Sequence, residues 1–155
     1  YVTLSNAPPS IIPADRFVLQ SGVAYRNVLN FDLSKLPYNV IINNVNLQFT
    51  LDSKNSIISS ATDKRVVLGM VVDSVNNTDS IFVDAFQSDS VTYVLSSTAL
   101  NAIFQRWNSG VVQNLGLSMK NYFETQNMDH FVFFSPSSAE ISFRPRIRIT
   151  YTLRN

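Results

Sequence analysis

Cysteine is absent from the 155 residues. That excludes a disulfide framework, a thiolate nucleophile and a thiolate metal site. A chain without thiols is indifferent to the redox state of its compartment, which is compatible with export. Histidine occurs once, at His130. Any Ser-His-Asp arrangement must use that imidazole, and a transition-metal site would have to rely on carboxylates. His130 stands at a strand start between Asp129 and Phe131, and is read as a structural or surface residue. Charge is scarce as well: 15% of residues are charged and the net charge is +1, which argues against nucleic acid as a partner. Long apolar runs are missing. The longest, around Val66 to Val72, falls far short of the roughly 20 residues that span a bilayer, so no membrane insertion is expected. There is no Gly/Ser linker, charge block, repeat or low-complexity tract, and the chain reads as one globular domain. It starts at Tyr1 rather than Met and is taken as a piece of something longer.

What is present is alternation. Residues 1–16 read as an N-terminal arm or edge strand: Val2 and Leu4 alternate with Tyr1, Thr3 and Ser5, and Pro8, Pro9 and Pro13 hold the chain extended. Residues 17–155 form the domain proper. Tyr25 to Asp32 is a strand that ends in a turn, where Asp32 and Ser34 can bond nearby backbone and Pro37 stops ladder pairing. Asn44 to Asp52 alternates most cleanly. Val45, Leu47, Phe49 and Leu51 face one way and Asn44, Asn46, Gln48, Thr50 and Asp52 the other, as in an antiparallel sheet with one wet face. Arg65 to Asp73 is a fully buried strand. Further strands follow at Ile81 to Phe86, Val91 to Leu95, Leu115 to Lys120, Phe131 to Ser135 and Phe143 to Leu153. One helix, about residues 97–109, interrupts them. Leu100, Ile103, Phe104 and Trp107 form one buried stripe, a serine caps the start, and Gly110 suits the exit. Short strands with one inserted helix predict an all-β protein, an antiparallel β-sandwich of jelly-roll type.

Candidate chemistry is sparse. The 11 acids lie mostly in turns and form no recognisable glycosidase pair, so no enzyme is expected and no catalytic residue is assigned. Calcium is the one cofactor left open, with Asp73, Asp79, Asp84 and Asp89 as oxygen donors in the stretches Asp73 to Asp79 and Asp84 to Asp89, against the simpler reading of solvated turns. Arg144, Arg146 and Arg148 fall on one face of the last strand, about 6.5–7 Å apart. Such a row could grip carboxylates of a linear acidic polymer in bidentate fashion. Equally, cross-strand acids could neutralise it, or it could keep a sheet edge soluble. Tyr38, Tyr93 and Tyr122 lie near loops or strand ends and could stack on sugars, whereas Trp107 belongs to the helix stripe and the core.

Three stretches together resemble the DNRLRE family of bacterial extracellular domains. The first is Arg26 followed by a strand and Phe31-Asp32-Leu33-Ser34-Lys35-Leu36-Pro37. The second runs from Trp107 and Gly110 through Asn114-Leu115-Gly116-Leu117. The third is Arg144-Pro145-Arg146-Ile147-Arg148-Ile149-Thr150-Tyr151. They occur in the family order over nearly the whole chain, although a Trp-containing middle segment is replaced by Ser90-Val91-Thr92-Tyr93. The resemblance implies a non-catalytic jelly-roll module of a secreted or cell-surface bacterial protein. Some members bind carbohydrate, including acidic polysaccharide. The alternative expectation is a stalk, adhesin or filament-subunit module that assembles with neighbouring domains or subunits through its N-terminal arm.

Overall fold

The structure, a computed structural model, describes residues 2–3, 12–22, 26–59, 64–72, 79–87, 89–123 and 126–154, with backbone alone at 2–3 and 79–87. Among the described residues there are ten strands and one α-helix. In chain order they are β1 (Val2–Thr3), β2 (Arg16–Gln20), β3 (Asn27–Leu29), β4 (Ile41–Thr50), β5 (Val66–Val71), β6 (Asp79–Gln87), β7 (Thr92–Leu95), α1 (Thr98–Asn108), β8 (Leu117–Asn121), β9 (His130–Phe134) and β10 (Arg146–Thr152). Eight strands hydrogen-bond in the order β1-β3-β8-β5-β6-β7-β4-β10, and β2 pairs with β9. Every pairing is antiparallel. β6 changes partner along its length, pairing with β5 as far as Ala85 and with β7 at Phe86 and Gln87. The protein is an all-β sandwich: sheets packed against each other around one core.

The core follows from period-two alternation. Val45, Leu47 and Phe49 of β4 meet Leu68 and Met70 of β5, Phe17 and Leu19 of β2, and Phe131 and Phe133 of β9. β5 is buried along its whole length, as its continuous apolar run requires. β4 breaks its alternation twice: Phe49 and Thr50 are both buried at its end, as is Asp52 beyond it, against the wet face expected for Thr50 and Asp52, and a bulge interrupts it near its start. Asn43 is an extra residue opposite the step from Thr150 to Tyr151, so Asn43 and Asn44 are both exposed. The extra residue keeps Ile42 on the buried face of Val45, so Tyr151, opposite Ile42, stays on the side of Ile149, opposite Val45.

The helix closes one side. Ser97 caps it by accepting the Leu100 N–H at 3.1 Å, and Gly110 follows its end with φ +71°. Leu100, Ile103, Phe104 and Trp107 are buried. A second row on the helix, Asn101, Gln105 and Asn108, serves β4. Their side-chain carbonyls accept the N–H groups of Val45, Ile42 and Val40 at 2.7–2.9 Å. Their amide nitrogens donate to the carbonyls of Asn43, Val40 and Pro37. The backbone of β4 and of Val40 before it is thus satisfied where β7 does not reach.

The first two stretches that carry the family resemblance make contacts within the fold. Asp32 accepts the Ser34 N–H at 2.9 Å, and Leu36 closes the turn onto Leu33. The Ser34 N–H and hydroxyl hold the Asp32 carboxyl below its usual range. Phe31 packs edge-on against Phe104 and beside Trp107. Asn114 donates to the Phe31 carbonyl at 2.8 Å. Gly116 has φ +92°, and a Cβ there would sit 2.6 Å from the Leu29 carbonyl oxygen, so only glycine fits. Arg26 is half-buried and partnered. β3 is shorter than the strand expected from Tyr25 to Asp32. Its Asn27, expected to share a face with Leu29, is buried with Val28 and Leu29 because its side chain donates to the Val18 carbonyl.

Candidate functional site

The last strand and β4 build the site together. Arg146 lies opposite Gln48, Arg148 opposite Asn46, and Thr150 opposite Asn44. Residues directly opposite in an antiparallel pair share a face, so two guanidiniums stand beside three carboxamides and a hydroxyl. Asn44, Asn46, Gln48, Arg146, Ile147 and Arg148 line a shallow depression of about 490 Å³. Asn44 is steadied by Ser96, whose hydroxyl donates to it at 3.0 Å. Arg146 donates to the Ser142 carbonyl at 3.2 Å, and no carboxylate pairs with Arg146 or Arg148 among the described residues. Among the described residues cross-strand neutralisation of the row by acids is not found: the facing groups are neutral amides.

The row itself is shorter than expected. Arg144 lies before β10, where Ile141–Phe143 form a 3-10 turn and Pro145 follows. Its Nε donates to the Ser138 carbonyl at 2.7 Å, which pulls the half-buried side chain away from the row. Two arginines, not three, stand on the strand face.

The inner side of β10 borders a second feature. Ile147, Ile149 and Pro145 face Phe31, Leu33 and Pro136 across a groove of about 250 Å³ with Leu47 and Phe49 at its floor. Ile147 remains 42% exposed. Among the described residues β10 is the last strand of its sheet, and its other edge has no partner strand.

The structure separates the tyrosines. Tyr93, expected as a stacking residue, is fully buried and packs edge-on against Phe133 at 5.3 Å, so it cannot meet a ligand. Its place on β7 opposite Phe49 directs it inward. Tyr38 is 76% exposed, and its hydroxyl donates to the Ser109 carbonyl at 3.1 Å beside the helix exit. Tyr122 is exposed, but the Arg65 guanidinium lies 3.8 Å from its ring centre. Neither lines the arginine depression. Trp107 is in the core, as expected.

The calcium candidates scatter. Asp73 is outside the described residues, and of Asp79 and Asp84 only the backbone is described. That backbone is strand, as expected for Asp84 within Ile81 to Phe86 but not the turn expected at Asp79. Asp89 uses one oxygen to accept the Val91 and Thr92 N–H groups at 2.8 and 2.7 Å, which hold its carboxyl below the usual range. Among the described residues no group of three or more His, Asp or Glu is placed to hold a metal. Burial lowers the pKa of His130, and its backbone bridges to Ile57. No helix among the described residues is long and apolar enough to cross a membrane.

Sequence reasoning missed a cluster at the opposite extreme of charge. Arg16, read as the end of the arm, belongs to β2, and its side chain is only 8% exposed. It contacts Asp52 at 2.9 Å, Asp15 at 2.6 Å and Glu140 at 3.0 Å, and its guanidinium lies 3.8 Å from the Phe134 ring centre. Burial alone would raise the Asp52 pKa, but hydrogen bonds from Asn55 and Arg16 and the Arg16 charge bring it below the usual range. No family model, curated protein or solved structure matches the chain.

Proposed function

We propose that the chain is a non-catalytic module of a secreted or cell-surface bacterial protein, a jelly roll of the DNRLRE kind, and that it binds an acidic polysaccharide on the β4–β10 face. The observation that carries this reading is the pairing of Arg146 and Arg148 with Gln48 and Asn46, without a facing carboxylate. Guanidinium forks bind carboxylates in bidentate fashion, and carboxamides bind sugar hydroxyls as donor and acceptor. A row on a strand repeats at a fixed spacing and so suits a polymer with a repeating charge. Tyr38, exposed near the start of β4, adds an aromatic surface at a separate position.

Gel retardation over a panel of polyuronates and neutral glucans tests the reading. Retardation by polyuronate that fades with added salt, and is lost in the Arg146→Gln/Arg148→Gln variant, is the expected result. A folded domain that no polyuronate retards would remove the proposal. A second reading, assembly through the N-terminal arm, draws on the pairing of Val2–Thr3 with the edge of β3. It expects that deleting residues 1–10 abolishes self-association and leaves the domain folded.

A further inference from the structure

We propose that the free edge of β10 accepts an extended polypeptide strand in which apolar and acidic side chains alternate. Three observations meet at that edge. β10 is seven residues long and among the described residues pairs only with β4, so one row of its backbone donors and acceptors has no partner strand there. On its inner side the groove between Ile147, Ile149 and Phe31, Leu33 is open and mostly apolar, with Asn30, Asp32 and Arg146 the polar members of its lining. On its outer side Arg146 and Arg148 have no carboxylate partner among the described residues.

A strand laid along β10 lies about 4.7–4.9 Å away, and its side chains point alternately to the two faces. Every second residue therefore enters the groove, and the ones between stand beside the arginines. Apolar side chains fit the first set and Asp or Glu the second. Charge also rejects the other candidates. A second β10 would bring four guanidiniums onto one face, and like charges across strands are destabilising. β1, at the far end of the sheet, is two residues long and offers little edge. The inference goes beyond polysaccharide binding, since it rests on backbone pairing and on the groove.

The probe is a synthetic nine-residue peptide of alternating Val and Asp, tested on the intact chain by calorimetry and by amide hydrogen exchange. Binding is expected, with slowed exchange at the outward amides of β10. Arg146→Gln/Arg148→Gln and, separately, Ile147→Ser are each expected to weaken it about tenfold. A peptide of the same composition with Val and Asp in two blocks, and one with Lys in place of Asp, are expected not to bind. Equal binding of the block peptide would mean charge attraction alone and would overturn the proposal. So would indifference to Ile147→Ser in a variant that folds normally. A dimer whose β10 amides are already protected without peptide would give the edge to a second copy and likewise overturn it.

Discussion

Arg16 and Arg148 carry the same guanidinium in opposite circumstances. Arg16 is buried at the start of β2 with three carboxylates and an aromatic ring around it. Arg148 stands exposed on the edge strand, facing a carboxamide. The difference lies in what each has already bound. Arg16 gives its donors to groups of the protein itself, so removing it leaves the buried Asp52 carboxylate without its cation. Arg148 can give its donors to something else, so removing it should cost the fold little. A charge is a structural part where the protein supplies the counter-charge, and a candidate recognition element where it does not.

The largest test of this contrast is Arg16→Leu. With Asp52 only 7% exposed and left without its cation, the variant should lose about 3–5 kcal/mol in urea unfolding. A loss below about 1 kcal/mol would erase the distinction. Asp52→Ala should come next, at about 2–3 kcal/mol, because Arg16 keeps Asp15 and Glu140 but Asn55 loses its acceptor as well. The pH dependence sharpens the same point. Asp52 and Asp15 titrate below the ordinary 3.8 in the folded state. Their stabilisation is whole above that value and is lost as the pH falls through the folded pKa values. Stability should therefore decline below about pH 4, and Arg16→Leu should flatten that decline. The Arg146→Gln/Arg148→Gln pair should move stability by no more than about 0.5 kcal/mol, while polyuronate retardation disappears. The smallest effect concerns His130. Its folded pKa lies below 6.5 because burial disfavours the cation, so an NMR titration should give a midpoint under that value. Stability should ease slightly as the pH drops through it.

Local patterns were legible in the residues, and partnerships across the chain were not. The helix stripe Leu100, Ile103, Phe104 and Trp107, its serine cap and its glycine exit depend on neighbours within one element, and they stand where periodicity puts them. So does the Asp32–Ser34 turn. Arg16 could not be read this way: Asp52 and Glu140 are 36 and 124 positions away. Arg144 looked like part of a strand because the arginines alternate, yet the turn at Ile141–Phe143 and the Ser138 carbonyl claim it. Tyr93 was judged by its nearness to a loop, whereas β7 pairs with the centre of the sandwich and buries it. Of the candidate site, Arg146, Arg148 and the polar row of β4 were each visible in the sequence. Their register, which brings Gln48 and Asn46 to the arginines, was not.

The three amides of α1 have a consequence for how the protein would look from its exchange kinetics. Val40, Ile42 and Val45 have no strand on their helix side, but Asn108, Gln105 and Asn101 hold their N–H groups. These protons should exchange with solvent as slowly as those inside the ladder. They should be released together when the helix lifts, since one rigid rod carries all three acceptors. Deuterium would report the helix and the first half of β4 as a single opening unit, a strand pair in which one member is a helix.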